Sequence, residues 1–143
     1  MATLRGSLDS SHTPFVTIAV SAPSGPSRFF DAVIDTGFTG FLQLPSRVAR
    51  DLALIPRASS ETQYADGRID TVPLAWARVG LAADVEEGLV HIQRGSNEAI
   101  VGLELLRIFR KILVLSSNRL NIAGRMVPGA YRPARGHEAK RGA

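Results

Sequence analysis

Cysteine is absent from the 143 residues. Disulfide scaffolds, zinc ribbons, thiol redox sites and cysteine nucleophiles are excluded at once. Nothing in the composition points to an oxidising compartment. Long apolar runs are absent too: the hydrophobic stretches are short and interrupted, and none reads as a bilayer span. Met1–Ser11, MATLRGSLDSS, lacks the apolar core of a signal peptide. The expectation is a cytoplasmic protein that does not enter a membrane. The three histidines, His12, His91 and His137, are scattered, and no pair has metal-ligand spacing. No metal and no other cofactor is expected. A G-x-S-x-G elbow and a glycine-rich phosphate loop are both missing, so serine hydrolysis and nucleotide binding lack their parts.

What is present is a globular composition, 45% hydrophobic and 21% charged, of a length that suits one domain. A chain of this size buries about 68–70% of its unfolded surface, enough for a core without covalent staples. The net charge of +4 is unevenly placed. Met1–Gly124 holds 12 Lys+Arg against 12 Asp+Glu and is neutral. The excess lies in Arg125, Arg132, Arg135, Lys140 and Arg141, opposed only by Glu138. This tail also carries Pro128, Gly129, Pro133 and Gly136 without apolar periodicity, and reads as a disordered basic segment. No basic face shows in the rest of the chain, so nucleic acid is not an expected partner.

The element order is mostly strands. Phe15–Val20 and Arg28–Asp35 are β-branched and aromatic, and the turn-rich Ser21–Ser27 between them suggests an antiparallel pair. Thr36–Gly40 is a tight turn before a short strand at Phe41–Leu44. Pro45-Ser46 opens a short helix with Ser46 as its N-cap and Pro56 as its stop. Asp66-Gly67 marks a hairpin within Ser59–Gly88. Leu89–Gln93 is a further strand, and Leu103–Arg110 suits a second short helix. Lys111–Leu115 and Leu120–Ala123 form a last hairpin. Trp76, the single tryptophan, is expected to be packed core rather than a ligand platform.

The chemistry-bearing feature is Asp35-Thr36-Gly37. The apolar Ala32, Val33 and Ile34 deliver a carboxylate into a turn. Gly37 permits close backbone approach or positive φ, and Thr36 offers a hydroxyl. Phe38, Gly40, Phe41 and Leu42 make the expected surroundings apolar, where a lone carboxylate is costly. Two carboxyls sharing one proton would instead supply an acid and a base in one site. Such a pair can deprotonate water and protonate an amide carbonyl.

The string Ala32–Gly37, AVIDTG, resembles the active-site motif of aspartic proteases. Ala99-Ile100-Val101-Gly102 resembles the apolar-apolar-Gly motif that lies opposite it. With a hairpin between them, order and spacing resemble the retropepsin-like, single-domain aspartic proteases over residues 13–124. IDTGFTGFLQLP (Ile34–Pro45) and GLELL (Gly102–Leu106) look most like uncharacterised bacterial members. The resemblance implies an all-β fold, a closed, barrel-like lobe with one or two short helices. Residues 1–12 would be an N-terminal extension and 125–143 a tail. It implies an aspartic endopeptidase acting on polypeptides. With one Asp-Thr-Gly per chain, it also implies a C2 homodimer whose two Asp35 carboxylates activate water. Thr36 would bond across the interface, Gly37 would keep the turn tight, and Ile100, Val101 and Gly102 would form the structural second motif. The flap would be Thr62–Val72, with Tyr64, Ala65, Asp66 and Gly67 at its tip over an extended peptide. A non-catalytic dimeric peptide-binding domain is the alternative on the same fold. Two positions depart from the pattern. Phe38 stands where pepsin-like enzymes usually carry Ser or Thr, and Leu103-Glu104 stands where retroviral enzymes place an Arg.

Overall fold

The computed structural model describes residues 4–116 and 118–123. The residues of the basic tail, 125–143, lie outside them.

Two long strands start the structure. β3 (Pro14–Ser21) and β4 (Arg28–Ile34) pair antiparallel, with Thr17 opposite Asp31 and their side chains hydrogen-bonded at 2.8 Å. Ahead of them, β1 (Leu4–Arg5) and β2 (Ser7–Leu8) are two-residue strands within the expected N-terminal extension. β1 pairs with a C-terminal strand and β2 pairs with β3. β5 (Leu42–Pro45) is followed directly by the helix α1 (Ser46–Asp51). β6 (Ala58–Gln63) and β7 (Ile69–Leu81) form the hairpin signalled by Asp66-Gly67. β8 (Asp84–Gln93), β9 (Ala99–Val101), α2 (Leu103–Ile108), β10 (Ile112–Leu115) and β11 (Leu120–Ala123) complete the order.

Six strands close into a barrel in the order β3-β4-β9-β5-β8-β7, with β7 returning to β3 through Ala19 opposite Gly80. The β4–β9 and β5–β8 pairs are parallel and the other ladders of this barrel are antiparallel. Closure leaves those six strands without a free edge. Alternate residues of each strand point inward. Val16, Ile18, Val20, Ala32, Ile34, Leu42, Leu44, Val90 and Val101 are all buried there. Phe41 is fully enclosed, and Gly88 lies against its ring: a Cβ at Gly88 would fall 2.5 Å from it. α2 closes the end of the core with Leu105, Leu106 and Phe109, next to Leu120 and Ile122 of β11.

Several expectations are corrected. α1 is capped by Pro45, not Ser46, and no side chain caps it. It ends at Asp51, ahead of Pro56, and Ala53 just beyond its C-cap Leu52 takes a positive φ of 55°. β8 begins at Asp84 rather than Leu89; its first half, Asp84–Glu87, is exposed and acidic and shows no apolar signal. Trp76 is 50% exposed, not packed core. The cause is a phase change in β7. Val72 and Leu74 are buried on even positions, then Ala75, Ala77, Val79 and Leu81 on odd ones. The ladder to β8 runs unbroken through this point, so the covered face of β7 changes and Trp76, on the face of Val72 and Leu74, lies beyond the part of that face that is covered.

Candidate active site

Asp35 follows the last residue of β4. Its carboxylate is shaped by its own turn: the Gly37 N–H donates to Oδ1 at 2.8 Å, and the Phe38 N–H donates to the Asp35 carbonyl at 3.1 Å. The first of these bonds is the Asx-turn that Asp readily forms two residues on. The Asp35 N–H donates to the Val101 carbonyl at 3.0 Å, which anchors the turn to β9. Asp35, Thr36 and Gly37 are all exposed in the single chain, not enclosed in the apolar surroundings expected. The apolar neighbours point elsewhere: Phe41 and Leu42 enter the barrel core, and Phe38 is half-buried. Among the described residues, the Thr36 hydroxyl makes no hydrogen bond and Oδ1 is the Asp35 oxygen that accepts one.

Ile100, Val101 and Gly102 lie directly against this turn. β9 runs parallel to β4, with Val33 opposite Ile100 and Ile34 opposite Val101. Beyond β9 three successive N–H groups dock onto the loop after Asp35. Gly102 donates to the Phe41 carbonyl (3.1 Å), Leu103 to Phe38 (2.9 Å) and Glu104 to Gly40 (3.2 Å). This approach requires a glycine: a Cβ on Gly102 would fall 2.1 Å from the Gly40 oxygen and 2.7 Å from that of Phe38. Leu103-Glu104, one of the two departures, opens α2, where Glu104 sits in the first turn and complements the helix dipole.

The hairpin tip is closed by Tyr64 N–H to Arg68 carbonyl (2.8 Å) and Gly67 N–H to Tyr64 carbonyl (2.9 Å), with Gly67 at φ 86°. Asp66 accepts the Arg68 N–H at 3.0 Å, and the Arg68 guanidinium lies 4.5 Å from the Tyr64 ring centroid. Ala65, Asp66 and Gly67 are exposed. No hydrogen bond joins this tip to the Asp35 turn among the described residues. A longer route exists: the Gln93 amide donates to the Tyr64 hydroxyl at 3.4 Å, and His91, two residues back on the same face of β8, touches Phe38.

His91 is the site neighbour that scattered spacing conceals. Its ring meets Phe38 edge-on, with centroids 5.2 Å apart and planes at 87°. Burial holds its pKa below the usual 6.5, while the Glu104 carboxylate pulls the other way. No local pattern announces it, because the contact joins residues more than fifty positions apart. Among the described residues, no group of three His, Asp or Glu side chains is placed to hold a metal ion.

The arrangement is an exposed carboxylate on a rigid turn, backed by a glycine-dependent second motif on a closed six-stranded barrel. It defines the fold of the retropepsin-like class. The structure is similar to the crystal structure of a retropepsin-like aspartic protease from Rickettsia conorii, with a TM-score of 0.63 over 85% of this chain and 90% of that one. Sequence identity is 12%, so the likeness is one of fold. No family model and no curated protein matches the chain.

Proposed function

We propose that the chain is an aspartic endopeptidase that works as a C2 homodimer. The observation that carries this reading is the exposure of Asp35 on a turn and following loop otherwise fixed by five backbone hydrogen bonds, from Asp35, Phe38, Gly102, Leu103 and Glu104. A proton-sharing carboxylate pair must be shielded from bulk water and brought together, and the described residues of one chain place neither a second carboxylate nor a cover at Asp35. A second copy supplies both. One carboxylate takes a proton from water as the oxygen attacks the peptide carbonyl, and the shared proton passes to the developing oxyanion. Thr36, whose hydroxyl has no partner among the described residues, would hydrogen-bond across the axis. The hairpin around Tyr64–Gly67 would cover an extended substrate strand.

The copies would meet at the free edge of β10. The second sheet runs β1-β11-β10, so one side of β10 has no partner among the described strands. Its sequence is Ile-Leu-Val-Leu, with Val114 46% and Leu115 56% exposed and no charge or proline to protect the edge. Such an edge favours pairing with an identical strand.

The direct test is cleavage of a peptide library by the wild type beside Asp35→Asn. The expected result is loss of every cut in the variant, a fall of about 10³-fold or more. Equal cutting by both proteins, or none by either alongside retained peptide binding, would replace this reading with a non-catalytic peptide-binding domain.

A further inference from the structure

His91 occupies a slot built for an aromatic contact with the Asp35 turn. A Cβ at Gly40 would fall 2.5 Å from the Phe38 ring and 2.8 Å from Cε1 of His91, so a glycine there is what lets the two rings meet. Phe38 in turn is bonded on both sides. Its N–H holds the Asp35 carbonyl, and its own carbonyl holds the Leu103 N–H. A displacement of the Phe38 ring is therefore transmitted to Asp35 through a single peptide turn. Nδ1 of His91 is buried and has no hydrogen-bond partner among the described residues.

We infer that His91 is a positioning residue for the Asp35 turn: its neutral ring braces Phe38, and protonation removes the brace. A neutral imidazole leaves Nδ1 as a bare acceptor if Nε2 carries the proton, which is a tolerable loss in an aromatic slot. The imidazolium must carry an N–H on Nδ1 as well, a buried donor without an acceptor and a charge in a half-buried site. The neighbours do not relieve it. Opposite the ring stand Gln43 on β5 and Leu74 on β7, neither of them charged, and the turn presents Phe38 and Gly40. Glu104 on α2 is the charged group whose field reaches the ring. Its carboxylate is exposed and makes no hydrogen bond to Nδ1, so it does not satisfy the added donor.

The sign of the pH dependence follows. The native ring binds its proton less readily than the unfolded chain, whose value is near 6.5. The fold therefore keeps its full stability above that value and loses part of it as the pH falls through 6.5 and below. The brace is lost over the same acid range.

The inference rests on the protease reading only for its activity arm, so the test has two arms. In the first, the His91 ring and the backbone amides of Phe38 and Leu103 are titrated by NMR from pH 8 to 5. The expected result is that both amides shift with the midpoint of the His91 ring, which lies below 6.5, and that these steps vanish in His91→Phe. His91→Leu serves if the phenyl ring does not fit. Phe38 and Leu103 amides that ignore the His91 titration would overturn the inference, whatever the chain cleaves. In the second arm, the ratio of wild-type to His91→Phe peptide cleavage, in which the titration of the shared proton cancels, should fall about tenfold for each pH unit below that midpoint, as the neutral population does. Above the midpoint that ratio should stay constant with pH. Superimposable profiles of wild type and variant would also overturn it. A chain that cleaves nothing but shows the coupled NMR titration would fail the protease reading alone.

Discussion

At Gly102 the two halves of the candidate site meet at backbone contact, and no side chain fits between them. Gly102→Ala must push the Gly40 and Phe38 carbonyls away and break hydrogen bonds that anchor the Asp35 loop. The expected loss is on the order of 3 kcal/mol, the upper end of overpacking effects, because the obstacle is backbone rather than a movable side chain. Thermal unfolding should show a midpoint lower by about 10 °C or more. Gly67 offers the contrast. A Cβ there meets open space, and only its φ of 86° disfavours a side chain. Gly67→Ala should cost about 1 kcal/mol, and its effect on folding should be correspondingly small. If the two substitutions prove equally mild, the interlock of the Asp35 turn with Gly102 is looser than these contacts imply.

Asp35, Thr36, Gly37 and Ile100–Gly102 could be recognised in the sequence because each motif is a contiguous string. Each string encodes its own turn or strand end. Their juxtaposition, a parallel β4–β9 pairing across some 65 residues of chain, was accessible only through the resemblance to a family. His91 had no such help: its role depends on one ring contact and on a space left by Gly40, and neither leaves a periodic trace.

Among the elements, the hairpins with turn residues were legible and the phase-shifted or acidic strands were not. β3–β4 and β6–β7 carry Pro, Gly and Asp at their turns. The β7–β8 hairpin turns at Ala82 with φ 54°, which no composition signal marks. β1 and β2, at two residues each, are too short to show alternation. The change of covered face at Leu74–Ala75 in β7 gives a prediction of its own. Trp76, the sole tryptophan, should emit as a solvated indole in the native protein and be readily quenched by iodide. A blue-shifted, protected emission would place it in the core and refute that change of face. The free edge of β10 gives another. Val114→Lys introduces a charge on an apolar edge without touching the barrel. It should weaken self-association about tenfold or more by sedimentation while leaving the folded monomer intact. An unchanged association constant would move the dimer contact elsewhere.

For the whole molecule, the proposed second copy would cover both the exposed Asp35 and the edge of β10 that has no partner among the described strands. If each chain supplies half a site, specific activity should rise with protein concentration and level off as dimers saturate. Full activity from a strict monomer would contradict the shared site. The most direct measurement uses two copies joined by a flexible linker, with Asp35→Asn in neither copy or in one. Because one proton is shared between two carboxylates, the single substitution should lower the peptide cleavage rate by about 10²–10⁴-fold. A tandem that keeps half its activity would show that each copy works alone, and the shared Asp35 dyad would be wrong.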